Sequence, residues 1–82
     1  MSLVELTKEI VESLSKEKDM VNVKEFETDE ENTILIQVMV SKEDIGRVIG
    51  KDGKTAKAIR TLVQASSYLK DNKRVKINID SF

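Results

Sequence analysis

Apolar residues recur along this chain first at helical spacing, then at every second position, then at each in turn. Leu3, Leu6, Ile10 and Leu14 stand three, four and four residues apart with Val11 beside them, which predicts an amphipathic helix over residues 3–16. Ser2 and Glu5 give it a capping-box start, and the polar run Ser15–Asp19 ends it. From Met20 the period is two. Val21 and Val23 alternate with polar residues and the phase then slips before Phe26, which predicts an edge strand with a bulge or an early end. After an acidic turn at Asp29–Asn32, Ile34, Ile36, Val38 and Val40 alternate cleanly. Leu35 and Met39 make the opposite face of that strand apolar too, as in the middle of a sheet. Ser41–Asp44 repeats the capping-box form ahead of a short helix containing Ile45, Val48 and Ile49. A second long helix runs from Thr55 to about Leu69 with two apolar stripes, Ala56-Ile59-Val63 and Ala58-Leu62-Ala65-Leu69. Val75, Ile77 and Ile79 alternate in a last strand beyond the turn at Asp71-Asn72.

The order is helix, strand, strand, helix, helix, strand, an α+β pattern. A short turn makes the first two strands antiparallel, and a helical crossover lets the second and third pair in parallel. The expected architecture is one domain over residues 1–82, a three-stranded mixed sheet covered on one face by three helices. Eighty-two residues are too few for two independent cores. One stripe of the long helix suffices to dock it on the sheet. The second must be covered, either by the N-terminal helix or by another chain.

Composition removes several kinds of chemistry. The chain has no cysteine and no histidine, so thiolate and imidazole metal ligands and the commonest general base are missing. Serine, lysine and carboxylate residues show no catalytic spacing, so no enzyme, cofactor or metal site is expected. No apolar run is long enough to span a membrane and the N-terminus lacks an export signal, so a cytoplasmic protein is expected. The net charge of −1 conceals a division. Residues 1–31 carry ten acids and four bases, whereas residues 32–82 carry ten bases and five acids. Such segregation fits a polyanion meeting the second half of the chain.

All three glycines lie within Ile45–Gly53, in a chain without proline. Gly50-Lys51-Asp52-Gly53 falls between the short and the long helix, and two glycines there suffice for a plain helix–turn–helix corner. Gly53-Lys54-Thr55 ends like a phosphate-binding P-loop, but the first glycine of that pattern would fall on Val48, and no strand precedes it. More than a corner is present, however. Lys51, Lys54 and Lys57 put positive charge where a helix N-terminus already offers free N–H groups, and glycines let a sugar-phosphate backbone approach the main chain. Val48 and Ile49 offer an apolar surface beside it.

Val48-Ile49-Gly50-Lys51-Asp52-Gly53 resembles the V-I-G-x-x-G signature of KH domains, whose GXXG loop clamps single-stranded nucleic acid over four nucleotides. The element order matches the type II form found in bacteria. The longer run Ser41–Arg60 is similar to stand-alone bacterial KH proteins of the KhpA type, and the likeness covers essentially the whole chain. Ala56, where KH domains usually have a larger aliphatic, fits that subset. The resemblance implies RNA binding by a chaperone or post-transcriptional regulator, with Gly50 and Gly53 as clamp glycines. It assigns Lys51 and Lys54 to phosphates, Arg47 and Lys57 to the flanks, and Ile45, Val48 and Ile49 to the groove floor. Asp52, an acid at the phosphate site, stands against the charge pattern. Phe26, Tyr68 and Phe82 are too few for an aromatic stacking platform, so bases would be met by aliphatic side chains and backbone hydrogen bonds. The resemblance also implies homodimers or pairing with a larger KhpB-like KH protein, for which Ala58, Leu62, Ala65 and Leu69 are the candidate surface. Clamping of RNA and pairing with protein are therefore both expected.

Overall fold

A computed structural model describes all 82 residues. The elements are α1 (Leu3–Leu14), β1 (Asn22–Glu27), β2 (Thr33–Val40), α2 (Ile45–Ile49), α3 (Lys54–Lys70) and β3 (Arg74–Ser81), in the order expected. The sheet order is β1-β2-β3, with β1 antiparallel and β3 parallel to the central β2. The core lies between the sheet and the helices. Ile34, Ile36, Val38 and Val40 of β2 meet Leu3 and Val11 of α1, Val48 of α2, and Ile59 and Val63 of α3.

The capping box forms as written: Glu5 N–H donates to Ser2 Oγ and Ser2 N–H to Glu5 Oε1, each at 3.1 Å. The buried face of α1 is rotated from the expected one. It centres on Leu3, Thr7 and Val11, while Leu6, Ile10 and Leu14 are only half-buried. Thr7 can occupy the core because its hydroxyl donates to the Leu3 carbonyl at 2.7 Å, leaving no polar group unpaired. The helix also stops at Leu14 rather than residue 16, since Ser15 is already extended.

Neither the bulge nor the early end expected at the phase slip before Phe26 interrupts β1. Its register with β2 is unbroken from Asn22↔Met39 to Glu27↔Ile34. The phase slip instead puts Phe26 on the face of the sheet away from the helices, opposite Leu35, where it is about half exposed. Leu35 and Met39 are likewise only half-buried, so β2 is central but not covered on both faces.

Candidate nucleic-acid interface

The corner between α2 and α3 is a single 3-10 turn over Lys51–Gly53. Gly50 N–H closes α2 on the Gly46 carbonyl at 2.9 Å, and Gly53 N–H closes the turn on the Gly50 carbonyl at 3.2 Å. Each glycine is required for a different reason. Gly50 has φ 77° and ψ 173°, a region essentially closed to other residues. A Cβ there would stand 2.2 Å from Thr55 Oγ1 and 2.9 Å from the Thr55 nitrogen. Gly53 is left-handed at φ 75°, but a Cβ would meet nothing within 4 Å.

Asp52 also lies in the left-handed region, at φ 57° and ψ 24°. Aspartate and asparagine tolerate that conformation better than other side chains, and Asn32 and Asn72 are the other non-glycine residues here with positive φ. An acid at this position, against the charge pattern around it, therefore has a conformational reason. Asp52 forms no ion pair, so it leaves the neighbouring lysines free.

The residues expected to meet nucleic acid divide by exposure. Arg47, Lys51, Asp52, Lys54 and Lys57 are exposed, and Ile49, Gly50 and Gly53 are half-buried. Val48 is a correction. It is fully buried in the core and supports the corner from beneath instead of lining a groove. Ile45 is half-buried and also packs against the core.

What holds α2 in place is a residue that sequence reasoning took only as part of a cap. Asp44 is 1% exposed, and its carboxylate accepts from Lys16 N–H at 3.0 Å and Glu17 N–H at 2.9 Å. Ser41 Oγ donates to the same carboxylate and accepts from Asp44 N–H at 3.2 Å. Half of the expected capping box is thus present, while the carboxylate has turned away to bind the chain leaving α1. The amides of Glu17 and Lys16, aided by Ser41 and the charge of Arg47, hold this carboxyl below the ordinary aspartate range against the opposing effect of burial. The tie ends α1 early and fixes the start of α2 against it. The only hint in the sequence was the Ser41–Asp44 spacing, which says nothing of a partner 28 residues away.

The outer edge of β3 supplies a second feature absent from the sequence reading. Gln64 Oε1 accepts from Val75 N–H and Gln64 Nε2 donates to the Lys73 carbonyl, each at 2.9 Å. Arg60 Nε donates to the Ile77 carbonyl at 3.4 Å. The first half of the edge is closed by side chains of α3. At Ile79, which shares that outward side by the alternation of the strand, no side chain takes a similar position.

The stripe Ala58-Leu62-Ala65-Leu69 is not covered by α1. All four residues are exposed, Leu62 by 50% and Leu69 by 89%. Between α1 and α3 lies an apolar cleft of about 230 Å³ bordered by Ile10, Leu14, Ala58 and Leu62.

Residues 4–79 match the family described as KhpA/KhpB, KH domain. The chain is 45% identical over 75 residues to the RNA-binding protein KhpA of Caldanaerobacter subterraneus subsp. tengcongensis, covering 92% of this chain and 96% of that one. It is 37% identical to the protein of the same name from Thermotoga maritima, with 92% and 95% covered. Among solved structures, Era of Aquifex aeolicus bound to GDP and aluminium fluoride superposes with a TM-score of 0.70 at 22% identity. That match takes in 98% of this chain and 30% of Era, and at such identity it speaks for the fold alone. Fold order, signature and full-length relatives agree: the chain belongs to the KhpA/KhpB family of KH domains.

Proposed function

We propose that this protein binds single-stranded RNA through the Gly50–Gly53 corner and acts as an RNA chaperone or post-transcriptional regulator, as a binding module and not as an enzyme. The observation that carries the reading is the shape of the corner. Gly50 is pressed so close to Thr55 that no side chain fits, so main chain is what a ligand would meet there. Lys51, Lys54 and Lys57 surround it without an ion-pair partner. Phosphates would lie against the turn and the first N–H groups of α3, with Arg47 at one flank and Lys57 at the other. Bases would rest on Ile49 and meet the open edge of β3 at Ile79. Backbone groups read bases with little discrimination, so weak sequence preference is expected. The names of the KhpA relatives support RNA over DNA as the ligand.

Lys51→Asp reverses charge at an exposed position and should abolish RNA retention in a gel-shift assay while the melting curve stays in place. Undiminished retention by a folded Lys51→Asp protein would refute the clamp. With about three phosphates neutralised, log K should fall against log salt with a slope near −2, at roughly −0.7 per phosphate for single strands.

A second reading stands on the uncovered stripe. Ala58, Leu62, Ala65 and Leu69 form an exposed apolar face whose small residues permit close helix approach, which suits a second copy or a KhpB-like KH partner. Sedimentation over a range of concentrations reads it directly, and a monomer throughout would count against self-association.

A further inference from the structure

The largest cavity of the molecule, about 470 Å³, lies away from the corner and touches the apolar stripe only at Ala65. It opens on the flank of α3 that overhangs the outer edge of β3 and is lined by Arg60, Thr61, Gln64, Tyr68, Arg74 and Val75 among others. No carboxylate lines it. It is a shallow basin open to solvent and not an enclosed pocket, and three of its components are suited to one class of ligand.

First, it holds two guanidinium groups. Arg60 is anchored by Nε to the Ile77 carbonyl, which leaves its outer N–H groups available, and Arg74 forms no ion pair. The charge of Arg74 acts on Glu30, but that carboxylate is already engaged by Lys76. Second, Tyr68 is 55% exposed, its ring left outside the core that Ala56, Ile59 and Val63 of the same helix enter. Third, Gln64 spends both ends of its amide on β3 and so forms a fixed wall between Arg60 and Tyr68. Unpaired guanidiniums beside an accessible ring suit a phosphate and a stacked base better than an apolar protein segment.

Position along the helix connects this basin to the corner. On a helical wheel, Lys57, Arg60, Thr61, Gln64 and Tyr68 fall on one side of α3, continuous with the lysines at its start. Tyr68 lies about 20 Å along the axis from Lys54. We infer that the basin formed by Arg60, Tyr68 and Arg74 is a second nucleotide subsite, which receives a base and phosphate of the same RNA strand beyond the segment held at Gly50–Gly53. This rests on the clamp reading and adds a length dependence to it.

The test compares oligouridines of four and about twelve nucleotides by fluorescence anisotropy. The unaltered protein should bind the longer one more tightly than the added number of clamp sites explains. Tyr68→Ala and Arg74→Gln, both at exposed positions, should each lower affinity for the twelve-mer on the order of tenfold and leave the four-mer unchanged. Tyr68→Phe should retain the affinity, because stacking needs the ring and not the hydroxyl. Lys51→Asp should weaken both oligomers, which separates failure of the clamp from failure of the basin. If Tyr68→Ala and Arg74→Gln bind the twelve-mer as the unaltered protein does, the subsite is refuted. It is equally refuted if these variants alter self-association in sedimentation and not RNA affinity, since the basin is then a protein contact.

Discussion

The two halves of the corner between α2 and α3 are built on opposite plans. The entering half, from Asp44 to Gly50, is tied and crowded. A buried carboxylate binds two amides of a distant segment, Val48 is sealed in the core, and Gly50 touches Thr55 so closely that a methyl group could not be admitted. The leaving half, from Lys51 to Lys54, is open. Its side chains are exposed, Gly53 has free space where a Cβ would be, and Asp52 bonds to nothing. Rigidity is thus concentrated behind the surface, and the charges are left in water where a ligand can reach them. The difference teaches that a GXXG sequence contains two unlike glycines, one required by packing and one by backbone conformation.

Paired substitutions should separate these plans. Gly50→Ala combines a forbidden backbone region with a clash against Thr55 and should cost about 3 kcal/mol or more, lowering the melting temperature of a domain this size by about 15 °C. Gly53→Ala keeps the space and loses only the left-handed preference. It should cost about 1 kcal/mol, or about 5 °C in the same melting experiment. Equal losses from the two would erase the distinction.

Asp44→Ala should lie between them, with a loss of about 10 °C, because it strands two amide N–H groups and the Ser41 hydroxyl. Its effect should depend on pH in a defined direction. The folded protein holds this carboxyl below its ordinary value, so the carboxylate stabilises fully above the ordinary aspartate range. The stabilisation is lost as pH falls through the folded value. The gap in melting temperature between the unaltered protein and Asp44→Ala should therefore be constant near neutrality and close only in acid.

Asp52→Asn should be the mildest change. Asparagine accepts the left-handed backbone, so the melting temperature should stay within about 2 °C. Removal of a negative charge among the lysines should tighten RNA binding by about two- to fivefold at low salt, an advantage that fades as salt is raised. An unchanged affinity would mean that the open half of the corner lies off the path of the phosphates.

Much of this was readable before the structure. Element order, strand pairing and the buried stripe Ala56-Ile59-Val63 follow from periodicity, because a face that must avoid water leaves its period in the chain. Where reading failed, a polar group had entered an apolar setting or an apolar one had stayed outside. Thr7 displaced Leu6 from the centre of the α1 face by satisfying its own hydroxyl within the helix. The phase slip before Phe26 predicts a bulge or an early end, yet Phe26 simply lies on the uncovered face of the sheet. Asp44 and Gln64 bond to main-chain groups, which carry no residue identity, so no pattern in the sequence could announce their partners. Val48 belongs to the signature that points to the groove, although its neighbours Ile49 and Gly50 reach the surface and it does not.

The amide of Gln64 occupies the position a neighbouring strand would take against β3. An exposed sheet edge invites any extended chain to pair with it, in any register and along its full length. With Gln64 and Arg60 holding one end, pairing can engage only the end beside the glycine corner, and a strand laid there has no room to slide. The same two side chains that guard against unwanted sheet growth would thus give the edge a fixed starting point, so that position along the molecule, and not the chemistry of the edge itself, determines what is brought to it.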